Sequence, residues 1–224
     1  MPDMIIIHYT GMMSCDDALH RLTDAESNVS CHYLISRTGD IYQLVDEKNR
    51  AWHAGLSYWQ GEQDINSRSI GIELENRGHE WGYDDFTDIQ ITALISLIHN
   101  IKTRHDIAPT HILGHSDVAP LRKKDPGEKF PWHILTQHGL IPDIKPQKIR
   151  KKGRLYPLKS PALVREMQNA LEYIGYKTDK VRFFSQNNRA AITAFARRFV
   201  PVNPTTERLR IALQKAKRFY FKNN

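Results

Sequence analysis

Three side chains stand where a metal ion would be held. His8 ends the apolar run Ile5-Ile6-Ile7, so a strand there leaves its imidazole at the rim of a sheet. His115 follows Gly114 directly after a short strand-like run, and Asp125 lies ten residues on, in a loop where Pro120 and Pro126 restrict the backbone. Two imidazoles and a carboxylate suit zinc, with a fourth position left for water. In a chain of eleven histidines the spacing also fits structural histidines with satisfied hydrogen bonds. Lys123, two positions before Asp125, projects to the same side of an extended loop, where an ammonium stabilises a developing oxyanion. Its plainer reading is a solvated lysine among Arg122, Lys124 and Lys129. Glu73 and Glu75 share one face of a strand that otherwise reads as buried, where a carboxylate is costly unless paired or working. Either is a candidate general base, and a strand edge facing water is the alternative.

Positioning these groups requires a sheet. Ile5–Tyr9 reads as a short β-branched buried strand, and Asp16–Glu26 as a helix. His32–Ser36 and Ile41–Val45 read as a hairpin about Arg37-Thr38-Gly39-Asp40, and Ser69–Glu75 as a further strand. Thr87 and Gln90 form a capping-box pair with Phe86 and Ile91 as its staple, and Ile89, Ala93, Leu94, Leu97, Ile98 and Ile101 give one apolar helix face. A strand at His111–Leu113 leads into the Gly114–Phe130 loop. The pattern predicts an α/β fold, a mixed central β-sheet flanked by helices. Beyond it, Ser160-Pro161 to Gly175, Asn187–Phe199 and a segment from Asn203-Pro204 read as three short helices, the last with Leu209, Ala212, Leu213, Ala216 and Phe219 on one face. We therefore expect a catalytic part at 1–142, a basic linker at 143–158 and a small all-α unit at 159–224.

Charge supports that division. From Lys145 onward there are 20 Lys and Arg against 4 Asp and Glu, a net of +16, whereas the preceding residues hold 12 against 21, a net of −9. The two cysteines, Cys15 and Cys31, suit a reduced compartment or at most one bridge. No run of about 18 apolar residues is present to span a membrane. The start of the chain lacks the charged segment, long apolar run and cleavage site of a secretory leader, which by itself predicts a cytoplasmic location.

The segment Gly114-His115-Ser116-Asp117-Val118-Ala119-Pro120-Leu121-Arg122-Lys123-Lys124-Asp125-Pro126-Gly127 strongly resembles the AmpD/AmiD type of N-acetylmuramoyl-L-alanine amidase, within the wider group that includes phage lysozyme-like amidases and peptidoglycan recognition proteins. Ile6–Thr10, Val29–Ile35, Ala51-Trp52-His53-Ala54-Gly55 and Ser69–Leu74 match the same family in its order, covering about residues 5–135. The resemblance implies Zn2+ on His8, His115 and Asp125, Glu73 as the base and Lys123 as the charge-stabilising residue. Strand alternation leaves Glu75 a rival to Glu73. Trp52, His53 and Arg122 are expected to line the substrate groove, with loop packing the alternative for the first two, and His32 to face the interior. The expected reaction is hydrolysis of the amide between the lactyl group of (anhydro-)N-acetylmuramic acid and L-alanine.

Val164–Tyr176 and Ala190–Phe195 resemble, more weakly, the helices of peptidoglycan-binding three-helix modules, with Lys180–Ser185 in place of the usual Asp-Gly-rich turn. Such an appendage points to an extended, envelope-associated branch, against the cytoplasmic expectation. Partners implied are peptidoglycan or muropeptide and, through the basic tail, an anionic envelope surface. Two other readings compete: a non-catalytic muramyl-peptide receptor, and a nucleic-acid binder using the +16 tail with Phe183, Phe184, Tyr220 and Phe221 as stacking groups. The complete ligand set with Lys123 ranks the receptor below the hydrolase, and attraction to anionic envelope surfaces, or solvated charge alone, is the simpler account of the tail.

Overall fold

The computed structural model of the chain describes residues 1–144, 160–202 and 204–223. In chain order its elements are β1 (Met4–Tyr9), α1 (Cys15–Thr23), β2 (Tyr33–Ile35), β3 (Ile41–Gln43), β4 (Ser69–Leu74), α2 (Asp88–Lys102), β5 (Ile112–Gly114), α3 (His115–Val118), α4 (Trp132–Gln137), α5 (Pro161–Ile174), α6 (Gln186–Phe199) and α7 (Thr206–Asn223). Among the described residues the strands form one sheet in the order β3-β2-β4-β1-β5, mixed as expected: β3 is the antiparallel edge and the other neighbours run parallel. Parallel strands must be covered on both faces, and β1 shows how. Its alternation sends Ile5 and Ile7 to one cluster with Ile70, Ile72, Leu94, Ile98 and Ile101, and Met4 and Ile6 to another with Leu113 and Val118.

Helix α2 covers the first face. Thr87 caps it by accepting from Gln90 N at 3.2 Å, but the box is half closed. The Gln90 amide donates instead to the carbonyls of Ile35 and Glu75, both at 3.1 Å, satisfying strand ends that water does not reach. Ile89 is exposed, not on the buried face, and Ile91 and Ile95 take its place there. The hairpin strands β2 and β3 are shorter than expected, and β5 begins one residue later than expected because His111 belongs to a 3-10 turn (Pro109–His111) preceding it. Cys15 and Cys31 are both free.

The second face is covered by the C-terminal helices. Ser160 caps α5 with Pro161 in its first turn, Ser185 caps α6, and α7 starts at Thr206, after the expected Asn203-Pro204. Asn203, Asn224 and residues 145–159, which include most of the expected linker, lie outside the described residues. Val164, Leu171, Phe195, Leu209, Leu213 and Tyr220 belong to one hydrophobic cluster with Met4, Ile6, Trp59, Leu113 and Val118. One core is therefore built from both sides of the expected linker. Backbone joins it: Gln60 N donates to Gly175 O at 2.9 Å. Gly175 has φ +138°, and a Cβ there would meet the Trp59 ring at 2.6 Å, so only glycine closes α5 this tightly against the sheet part. No helix among the described residues is long and apolar enough to cross a membrane.

A shared core has a thermodynamic consequence. Phe195 is fully buried in it, and Phe195→Ala is expected to cost about 3–5 kcal/mol. Calorimetry should show one transition, shifted as a whole, with hydrogen exchange in β1 and β4 accelerated along with that in α6. A second, unshifted transition would contradict the shared core.

Candidate metal centre

His8 sits at the end of β1 on the face of Met4 and Ile6, and β4 places Glu73 beside it in register. His115 opens α3 directly after β5, so its position follows from the Gly114 turn. Asp125 is brought under it by the loop, where Ser116 N donates to Asp125 O at 2.8 Å. His8, His115 and Asp125 are all buried. Their facing atoms form a small triangle: His8 Nδ1 to His115 Nδ1 is 2.9 Å, and Asp125 Oδ2 lies 3.1 Å from the first and 3.0 Å from the second.

The surroundings decide which atoms of that triangle carry protons. The Ser69 hydroxyl donates to Ile65 O at 2.6 Å, so it accepts at its oxygen from His53 Nε2–H at 3.3 Å. That leaves His53 Nδ1 as an acceptor, and His8 Nε2–H donates to it at 3.0 Å. His115 Nε2–H donates to Ala54 O at 3.0 Å. In their neutral forms both imidazoles therefore turn an Nδ1 lone pair toward the same point as a carboxylate oxygen, three acceptors with no donor. Burial, and then the neighbouring His115, hold the His8 imidazole neutral by lowering its pKa to about 4. Burial opposes the Asp125 charge, yet the charged forms of the facing His115 and His8 hold its carboxyl well below the usual range. Three donors on a tetrahedral ion with bonds near 2.0–2.1 Å lie about 3.3 Å apart, a few tenths of an ångström more than here. The donor set fits a divalent metal. Among the described residues this is the group of His, Cys and acidic side chains close enough to hold an ion.

Around the triangle, Glu73 and Glu75 part company. Glu75 accepts from Arg37 N at 2.8 Å, capping the hairpin, whereas Glu73 Oε2 is buried without a hydrogen-bond partner. Burial raises the Glu73 carboxyl to about 8, Asp125 adds to the rise, and Lys123 opposes it. Lys123 thus lies within electrostatic reach of both Glu73 and His8. Trp52 is exposed, with the Arg50 guanidinium 4.4 Å over its ring. The His53 ring lies on Gly71, where a Cβ would come within 2.4 Å, and both its nitrogens are committed to His8 and Ser69, so it braces His8 from behind. Arg122 donates to Ala54 O at 2.7 Å and Leu56 O at 2.9 Å, and also lines a cavity of about 390 Å³ with Leu56, Tyr58, Leu121 and Lys177. His32 faces the interior, accepting from Gly71 N at its Nδ1. The His53–Ser69 relay had no sequence signal beyond the Trp52-His53-Ala54-Gly55 run itself.

The sequence and the fold match known proteins. The family model described as N-acetylmuramoyl-L-alanine amidase, Amidase_2, matches residues 1–128. The N-acetylmuramoyl-L-alanine amidase AmiD of Escherichia coli is 37% identical over 212 residues, 88% of this chain and 75% of AmiD. The 1,6-anhydro-N-acetylmuramyl-L-alanine amidase AmpD of Haemophilus influenzae is 44% identical over 108 residues, 48% of this chain and 56% of AmpD. A solved structure of E. coli AmiD, in complex with the substrate anhydro-N-acetylmuramic acid-L-Ala-D-gamma-Glu-L-Lys, superposes with a TM-score of 0.79 at 34% identity, covering 94% of this chain and 87% of that one. By its sequence over most of its length and by its fold, the chain belongs to the Amidase_2 family of N-acetylmuramoyl-L-alanine amidases.

Proposed function

We propose that this chain is a zinc-dependent hydrolase that cleaves the amide between the lactyl group of (anhydro-)N-acetylmuramic acid and L-alanine in muropeptides or peptidoglycan. The observation that carries the reading is the buried triangle of three acceptors, which needs a cation, set beside Glu73, whose buried Oε2 has no hydrogen-bond partner. His8, His115 and Asp125 would hold the ion. When bound, zinc supplies Lewis acidity, polarising the scissile carbonyl and making water acidic enough to lose a proton near neutral pH.

Glu73 receives that proton and delivers it to the departing alanine nitrogen. Its elevated pKa suits both directions of transfer, and the Asp125 contribution to the elevation falls away once that carboxylate is engaged by a cation. Lys123 favours the charged form of Glu73 beforehand and balances the negative charge on the carbonyl oxygen during attack. Arg122 and the cavity it lines receive the peptide beyond the scissile bond, and Trp52 offers an exposed ring to the sugar. The +16 C-terminal part attracts anionic envelope polymers, an affinity that salt should weaken.

The test is mass spectrometry of peptide released from anhydro-muropeptide and from intact sacculi, with zinc or after chelation. Release is expected to require zinc and to vanish in His115→Ala. Binding without release would favour a muramyl-peptide receptor. Lys123→Ala should lower kcat by on the order of 10²–10³ with little change in KM.

The Glu73 carboxyl gives a second test that needs no substrate. Its pKa is about 8 folded against an ordinary 4.5, so the folded metal-free chain binds more protons than the unfolded one across that interval. Stability of the chelated protein therefore falls as pH rises from 4.5 to 8. Glu73→Gln stays neutral and loses that slope. In chelator it should melt above the parent at about pH 9 and level with it at about pH 4. Identical pH slopes for the two proteins would contradict the assignment.

A further inference from the structure

Asp117 is buried two residues after His115 and its carboxylate is fully engaged. Oδ2 accepts from Gly114 N at 2.9 Å, which holds the turn from β5 into α3. The remaining partners come from the C-terminal helices. The Tyr176 hydroxyl, just beyond α5, donates to Oδ1, and Arg198 of α6 donates to Oδ2 at 3.2 Å. The second Arg198 nitrogen donates to Ile112 O at 2.6 Å, so one guanidinium spans the turn from its strand to its carboxylate. Arg198 is itself buried, 4.9 Å from the Trp132 ring, and Tyr176 packs edge-on against Trp59.

The clamped turn carries one of the proposed ligands and fastens another. His115 is the residue after Gly114, and Ser116 N holds the backbone of Asp125. A buried carboxylate that loses its cation is left with an uncompensated charge, and its side chain moves to find another partner. That movement releases Gly114 N and lets His115 and Asp125 shift together.

We propose that Arg198 and Tyr176 are positioning residues for the metal centre: the C-terminal helices hold the Gly114–Asp117 turn, and through it two of the three ligands, in the geometry that binds zinc. The helices are then part of the scaffold of the site as well as a candidate wall-binding surface. This rests on the metal reading given above, and the wild-type titration tests that reading separately.

The experiment is zinc titration of the full-length chain against a competing chelator, well below the melting temperature, with circular dichroism on every variant. Loss of a group that orients a metal ligand typically costs 10–100-fold in affinity, so Arg198→Gln should raise the zinc Kd about tenfold or more while keeping the parent helical signal. Tyr176→Phe should weaken zinc in the same direction by less, and Arg198→Lys should recover part of the Arg198→Gln loss. Leu213→Ala, in the same core but away from Asp117, should lower the melting temperature and leave the zinc Kd unchanged. Unchanged zinc affinity in folded Arg198→Gln and Tyr176→Phe overturns the proposal, as does a Leu213→Ala loss as large as theirs. If Arg198→Gln does not fold, Arg198→Lys and Tyr176→Phe decide by the same criterion. A wild-type chain that binds no zinc overturns the metal reading itself.

Discussion

Two imidazole lone pairs and a carboxylate oxygen, buried within about hydrogen-bond distance of one another and without a proton between them, form the constraint on which the rest of this molecule depends. Such a group repels itself and is costly to bury unless a cation joins it. The chain holds it by fixing each acceptor from behind. Ile65 O, Ser69 and His53 orient His8, the Ala54 carbonyl orients His115, and Ser116 N orients the Asp125 backbone. Sequence features far from the ligands follow from this. Gly71 has no side chain because the His53 ring lies across it, and Ser69 is a hydroxyl because the relay needs a group that donates and accepts at once.

The sheet divides the work between its two faces. One packs against α2 through Ile5, Ile7, Ile70 and Ile72. The other carries Met4 and Ile6, then His8, and is closed by helices contributed from beyond residue 160. Alternation along a single strand therefore puts core and ligand on the same side. The charge asymmetry takes on structure here: Arg198 is one of the 20 basic residues from Lys145 onward, yet it is buried on Asp117, in the acidic part of the chain.

What was legible in the residues had local causes. His8 at a strand end, His115 after a glycine and Asp125 in a proline-bracketed loop can be placed because each depends on its own neighbourhood. The helix caps at Thr87, Ser160 and Ser185 are local in the same sense. The choice of Glu73 over Glu75 is not, since period-two alternation treats them alike. It comes from Arg37 N, 38 positions away, which takes Glu75 and leaves Glu73 bare. A Trp-His pair in a loop gives no sign that His53 braces His8, which depends on its place over Gly71. Ile89 and Ile95 exchange roles because the spacing of apolar residues does not fix the rotation of α2 on the sheet. Arg198 and Asp117 are 81 positions apart, and nothing local marks them as a pair.

The most direct measurement is anomalous diffraction at the zinc edge from crystals of the full-length chain grown with zinc. The expected result is a single strong peak within about 2.0–2.2 Å of His8 Nδ1, His115 Nδ1 and one Asp125 oxygen, with a position left open to the cavity side. No peak at saturating zinc, or an ion bound through other atoms with the triangle intact and empty, would contradict the reading of this site as a metal centre.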